Sequence, residues 1–443
     1  MYIKGHNPRT LCGHIVGSHT GSVRFVLTGH IFSTRFPGDE NGFIQGAPLL
    51  SVNSSVIHTL YYCYCISYIS IIIRMKLLVL RNNLVETLSV VERGAGASAS
   101  HLPILRNVLI RAHEGLVSFS TTNLELAVQS TISGKIIAAG EACVPLAVMS
   151  SIVKNLNAER VSLEWAGKTL TVTTDNYEAV VHGSDPKEFP IIPEVHDTAH
   201  ALSFQTETFR EALEATIVAT QYSEIRPEIS GVFITYADKK LGFVATDSFR
   251  LAEWLFPTSS FSSSFDSLSA IIPLRTAEEL LRVFTSATEQ LTLYFDQNQI
   301  LASTPTRRVV SRLIDGKFPE YQAIIPRAFT TETSFDRQEF LSAVRLVSSF
   351  SGRANDITVA VGEGKKFLEL SAADAALGTS RYRVPARVKG DGFSIVFNWR
   401  YLLDGLKIAT ASEVGLHASS NGPVLLKSET ASPLLYLVMP IKS

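Results

Sequence analysis

The chain has 443 residues, too many for one hydrophobic core, which points to about three domains. Forty Lys+Arg against forty-one Asp+Glu leave a formal net charge of −1, so a nucleic-acid role cannot rest on bulk charge and needs basic residues gathered on one surface. Four cysteines are too few for a disulfide scaffold and suit a reduced, cytoplasmic protein.

Residues 1–74 read differently from the rest. They hold Cys12, Cys63 and Cys65, show no sustained helical or strand period, and end in SVIHTLYYCYCISYISIIIR. That segment barely reaches the length of a membrane span and is broken by His58, Thr59, Ser67 and Ser70. A non-native or mis-started extension, a disordered leader and a membrane anchor all remain open for 1–74, which we leave out of the fold argument. Cys63 and Cys65 form a C-x-C with no second pair at ligand spacing, so no metal site is expected.

From Met75 onward the chain repeats itself three times, giving domains at 75–194, 195–327 and 328–443. Each repeat opens with an amphipathic helix: Asn82 to Glu92 with Leu84, Leu88 and Val91 on one face, Thr208 to Thr220 with Phe209, Leu213 and Ile217, and Asp336 to Ser348 with Phe340, Val344 and Val347. A strand, a turn, a strand, a polar loop and a further strand follow. In the middle repeat Val232, Ile234 and Tyr236 alternate with Phe233 and Thr235, and Asp238-Lys239-Lys240 supplies the turn. The loops Thr121-Thr122-Asn123, Thr246-Asp247-Ser248 and Ala372-Ala373-Asp374 take the same place in each repeat.

The second half of each repeat runs strand into helix in GEACVPLAVMSSIVKNLN, LSAIIPLRTAEELLRVF and FSIVFNWRYLLDGLKIA, with Pro145 and Pro273 near two of the helix starts. Strand pairs and the endings KEFPIIP, KFPEYQAIIP and LYLVMP complete each unit. The fold class is therefore α+β: three repeated domains, each with two helices and antiparallel sheets.

A search for catalysis finds little. The six histidines after Met75 show no metal-ligand spacing, Cys143 has no base beside it, Gly94 and Gly96 give half of a dinucleotide fingerprint in the wrong context, and no phosphate loop is present. Asp175, Asp247 and Asp374 fall at turns, where Asp closes a loop on its own backbone. Neither enzymatic activity nor a cofactor is expected.

The triplicated pattern, LPILRNVLI near the start, ATDSFRLA in the middle repeat, GKFPEYQAIIP at its end and the terminal LVMPIKS together resemble the bacterial DNA polymerase III beta subunit, the replicative sliding clamp, over 75–443. The resemblance implies a head-to-tail homodimer that closes a ring around duplex DNA without regard to base sequence. It implies tethering of the replicative polymerase, docking of the clamp loader and repair proteins, and no membrane partner.

Sliding requires phosphate contacts that are numerous, weak and indifferent to sequence. The helical candidates are Lys154, Arg210, Arg275, Arg282, Arg337, Arg345, Arg400 and Lys407, set against ordinary solvated faces that also carry Glu86, Glu211, Glu214, Glu278 and Glu279. The resemblance further implies a cleft between the second and third domains for apolar peptide anchors. Ile229 would form one wall, Thr246, Ser248, Phe249, Arg250 and Leu251 the loop side, and Pro319 and Ile324 the base. Asn398, Tyr401, Pro423 and Leu437, Val438, Met439, Pro440 and Ile441 would complete it. For the dimer, the edge near Ala179 and Val181 would pair with the third domain of another copy, with Leu346 and Val347 beneath; internal core is the alternative for both.

The chain departs from relatives where Ser248-Phe249 replaces Gly-His, at Ala323, and at Lys442-Ser443, which implies an altered partner-motif preference. Core packing is the alternative for Phe249. Rival functions are a protein scaffold without DNA contact and an α+β hydrolase.

Overall fold

The structure, a computed structural model, describes residues 13–18, 22–27, 30–35, 73–96, 102–195, 197–419 and 422–441. The chain divides into two units, Met1–Ile71 and Ile72–Ser443. In the first, the strands Gly13–Ser18, Ser22–Leu27 and His30–Arg35 pair as an antiparallel meander, where the sequence reading found no sustained period. Cys12, Cys63 and Cys65 lie outside the described residues.

The second unit holds six helices among its described residues: α1 (Arg81–Val91), α2 (Leu146–Asn155), α3 (Thr206–Ile217), α4 (Leu274–Val283), α5 (Arg337–Ser348) and α6 (Trp399–Ile408). They pack as pairs, α1 on α2, α3 on α4 and α5 on α6, one pair per repeat. The expected stripes are buried, Leu84, Leu88 and Val91 on α1, Phe209 and Leu213 on α3, Phe340, Val344 and Val347 on α5. Ile217 is only half-buried, because α3 ends there and Thr216 takes the inward position. Thr216 satisfies its hydroxyl on the Ala212 carbonyl 2.8 Å away, which removes the cost of burying it.

One device recurs in all three repeats. An arginine near the start of the first helix reaches carbonyls at or just past the end of the second. Arg81 donates to the carbonyls of Val153 (3.0 Å) and Lys154 (2.6 Å), Arg210 to those of Leu281 and Phe284 (3.0 Å to the latter), and Arg337 to those of Leu406 and Ala411 (3.0 Å each). The last carbonyls of a helix have no partner within it and carry its negative dipole end, so a guanidinium there closes the helix pair.

The sheets join the repeats. Strand Arg307–Arg312 of the second repeat pairs with Leu126–Ser133 of the first, giving one nine-stranded antiparallel sheet. Strand Leu434–Val438 of the third pairs with Arg250–Leu255 of the second inside a twelve-stranded sheet. Two of the open strand margins occupy the places that the two internal junctions use. Glu178–His182 ends the five-stranded sheet of the first repeat, and the first half of the long strand Gly378–Gly390 pairs only with Phe367–Asp374. In the middle hairpin, Asp238 and Lys239 take φ of 50° and 61°, the left-handed turn that suits the right-handed twist of its strands.

Candidate functional site

The seam between the second and third repeats is built from pairs Arg250↔Val438, Leu251↔Leu437 and Ala252↔Tyr436. Below it lies a cluster separate from the main core: Ile229, Val244, Leu251, Ile271, Phe318, Tyr321 and Leu437. The segment linking the two repeats enters here through Phe318, stacked on Phe233 at 4.7 Å, and through Tyr321, whose hydroxyl donates to Glu253 at 2.8 Å. Glu253 is buried, and burial raises its pKa above the usual carboxylate value against the Tyr321 hydrogen bond.

The loop Thr246–Arg250 is wound on its own side chains. Thr246 Oγ1 accepts from the Ser248 amide and donates to the Arg250 carbonyl, while Asp247 Oδ1 accepts from the amides of Phe249 and Arg250. Asn123 and Asp374 accept in the same way in their repeats, so the equivalent positions are Asn123, Asp247 and Asp374. The middle loop that matches Thr121-Thr122-Asn123 and Ala372-Ala373-Asp374 is therefore Ala245-Thr246-Asp247, one residue before Thr246-Asp247-Ser248. Ser248 takes φ 77°, and Phe249 beyond it stands 58% exposed, facing the Tyr401 ring with centroids 6.5 Å apart. Core packing is thereby excluded for Phe249.

Arg250 is largely buried and ion-paired. Its side chain is 11% exposed and bridges Asp247 (3.0 Å) and Asp404 on α6 (2.5 Å) with its guanidinium 4.5 Å from the Tyr401 ring centre. Burial draws its pKa down, but the neighbouring Tyr436, Asp404 and Asp247 overcome that and hold it above its ordinary value. Tyr436, buried below, donates its hydroxyl to the Tyr401 carbonyl at 2.8 Å.

The other expected cleft residues divide by depth. Ile229, Thr246, Leu251, Leu437 and Val438 are buried. Pro319, Asn398, Tyr401, Pro423, Met439 and Pro440 are half-buried, and Ser248, Phe249, Ile324 and Ile441 are exposed. The tail is tied to both walls: the Met439 amide donates to the Phe249 carbonyl and the Ile441 amide to that of Val396, each at 2.8 Å. Asn398 spends its side chain capping α6 at the Arg400 amide. Phe318, Tyr321, Asp404 and Tyr436 were not singled out from sequence. Arg250 and Asp404 stand 154 residues apart, with no local pattern relating them.

The basic candidates separate as clearly. Arg210 and Arg337 spend their guanidinium groups on the carbonyl clasps. Lys154 pairs with Glu92, Arg282 with Glu278 and Glu279, and Lys407 with Asp404. Arg275, Arg345 and Arg400 are exposed and meet no carboxylate among the described residues. Val347 lies in the core of its own domain and is corrected from interface to core, whereas its neighbour Leu346 is exposed. Val181 is buried and Ala179 half-buried on the edge strand. Among the described residues no helix is long and apolar enough to cross a membrane.

Models of the N-terminal, central and C-terminal domains of the DNA polymerase III beta subunit match residues 75–193, 203–320 and 322–442. A beta sliding clamp of Synechococcus elongatus is 30% identical over 377 residues, covering 83% of this chain and 99% of its own. One from Staphylococcus aureus is 27% identical, covering 77% and 93%. The crystal structure of the Bacillus subtilis DNA polymerase sliding clamp is similar at TM-score 0.78 and 25% identity, over 84% of this chain and 100% of that one.

Proposed function

The chain belongs to the DNA polymerase III beta subunit family, the bacterial sliding clamps, and on that premise we propose that two copies encircle duplex DNA and hold the replicative polymerase to it. The protein is a non-catalytic processivity factor. It acts in the cytoplasm, where the replicated DNA lies.

The observation that carries the ring is the use of one junction twice within the chain. Val90, Ala215 and Leu346 hold the same position on α1, α3 and α5, nine residues after Arg81, Thr206 and Arg337. Val90 and Ala215, at the two internal junctions, are 8% and 4% exposed, while Leu346 at the open end is 58% exposed. A third and a fourth junction, made with a second copy, cover Leu346 and pair the margins Glu178–His182 and 378–383. Ala179 and Val181 sit on the margin that a partner would extend.

DNA is held by Arg275, Arg345 and Arg400, with Lys154, Arg282 and Lys407 as further charges partly offset by their carboxylates. Contacts of this kind carry no base information, which suits sliding. The polymerase, the clamp loader and repair proteins dock a short peptide against Phe249, Ile324, Met439 and Ile441, above the Ile229–Leu251–Leu437 floor. A half-buried methionine and an exposed ring beside an apolar floor provide anchors that repack around different side chains.

The test is retention on DNA without ends. Protein loaded on a nicked circular plasmid is expected to stay bound through gel filtration and to be lost once the plasmid is linearised. Retention that survives linearisation, or no retention on the circle with a loader present, overturns the reading.

A further inference from the structure

We propose that the two copies meet in one defined register that sets Glu178 of one opposite Arg381 of the other, so that an acidic strand margin recognises a basic one and the chain selects its own second copy. The proposal rests on the clamp reading above and specifies the chemistry of its junction.

The register follows from the two junctions already present in the chain. In the first, Val310↔Ala127, Val309↔Val128 and Arg308↔Gln129 pair across repeats. In the second the pairs are Leu437↔Leu251, Tyr436↔Ala252 and Leu435↔Glu253. Equivalent positions at the open margins come from the pairing inside each repeat. On the incoming strand, Glu178 faces Thr173 as Arg308 faces Ser303, and Ala179 faces Val172 as Tyr436 faces Leu426. On the receiving strand, Thr379 faces Ala373 as Leu251 faces Thr246 and Ala127 faces Thr122. Carrying the junction over gives Val180 opposite Thr379, Ala179 opposite Ser380, and Glu178 opposite Arg381.

The pattern of exposure agrees with this register and not with a shift by one. Glu178, Val180 and His182 are exposed while Ala179 and Val181 turn inward. On the other margin Thr379, Arg381 and Arg383 are exposed while Ser380, Tyr382 and Val384 turn inward. The derived pairs join outward residues to outward ones and inward to inward. A slip of one residue would put the apolar set of one strand on the solvent face.

The charges agree as well. Arg381 and Arg383 both reach one carboxylate, Glu369, at 3.2 and 3.0 Å, which leaves the margin with one uncompensated positive charge. Glu178 makes no ion pair among the described residues. Directly opposed unlike charges stabilise a strand pair and directly opposed like charges oppose it. Neither internal junction carries opposite charges at this place: it holds Arg308 with Gln129 in one and Leu435 with Glu253 in the other. The acid–base pair is therefore particular to the junction between copies, where it disfavours pairing of a margin with itself.

The experiment exchanges the charges. Glu178→Arg and Arg381→Glu are made separately, checked for an unchanged thermal melt, and their dimer dissociation constants measured by sedimentation beside the native chain. Each variant alone is expected to dimerise about tenfold or more weakly, since both junctions then oppose like charges. An equimolar mixture is expected to recover native affinity, because a mixed dimer carries the native pair at one junction and the exchanged pair at the other. Native affinity for each variant alone, or a mixture no tighter than its components, overturns the register while leaving the ring standing. A native chain that stays monomeric throughout overturns the ring itself.

Discussion

Arg250 of the second repeat and Asp404 on α6 of the third lie 2.5 Å apart and join the two repeats directly beside the expected cleft. The same arginine holds Asp247, whose side chain is almost wholly enclosed. Removing the cation would leave the enclosed Asp247 carboxylate without its charged partner. Arg250→Met is expected to cost about 3 kcal/mol in urea unfolding, the scale of breaking one side of a buried pair. Asp404→Asn, which keeps the hydrogen bond, is expected to cost about half as much. Equal stability of both variants and the native chain would show that the pair contributes nothing.

Phe249 and Met439 test the cleft. The Phe249 ring is exposed while its carbonyl holds the Met439 amide, so truncating either side chain removes a binding surface without disturbing the seam. The double change Phe249→Ala and Met439→Ala is expected to abolish polymerase stimulation while sedimentation still gives a dimer. Unimpaired stimulation would remove the cleft as assigned.

The two classes of helical arginine should part company. Arg337→Ala exposes the carbonyls of Leu406 and Ala411 and is expected to lower stability by about 1–2 kcal/mol, from the loss of charge-assisted hydrogen bonds. Arg275→Ala, Arg345→Ala and Arg400→Ala are expected to change stability by less than about 0.5 kcal/mol. Each should lower the salt dependence of DNA retention by about one charge. The clasp assignment fails if Arg337→Ala melts with the native chain.

Leu346 offers the simplest break of the ring. Leu346→Asp puts a charge where Val90 and Ala215 are covered at the internal junctions. A monomer with the native melt is expected, and with it no retention on circular DNA. Val347→Asp, one residue on, should instead unfold the domain, because Val347 is core. Matching behaviour of the two variants would contradict their opposite placement.

Glu253 sets a pH dependence. Its pKa is raised by burial in the fold, so between the ordinary carboxylate value and the raised one the folded chain holds a proton that the unfolded chain has lost. Its contribution to stability is therefore present at low pH and lost as pH rises through the folded value. Glu253→Gln keeps an acceptor for the Tyr321 hydroxyl and removes the charge. The variant is expected to gain stability relative to the native chain as pH rises from about 4.5 toward neutrality, read by urea unfolding across that range. A constant difference between the two would show that Glu253 ionises freely.

Much of this protein is written locally. Leu84, Phe209 and Phe340 recur at one place in three helices, alternation marks the strands, and a Thr or Ala before Asn or Asp marks three loops, because helix and strand periods depend only on near neighbours. The order and spacing of those units identify the family. Periodicity does not say where a long side chain goes. Arg210, Arg337 and Arg250 look no different in sequence from Arg275 or Arg345, yet the first three close helix ends or join repeats while the others face solvent. Val347 and Leu346 are adjacent apolar residues, and only the turn of α5 sends one inward and leaves the other bare. The fold class was legible because its signals are short-range; the roles of individual charges were not, because Asp404 and the carbonyls of Leu281, Phe284, Leu406 and Ala411 reach those arginines only when distant segments pack together.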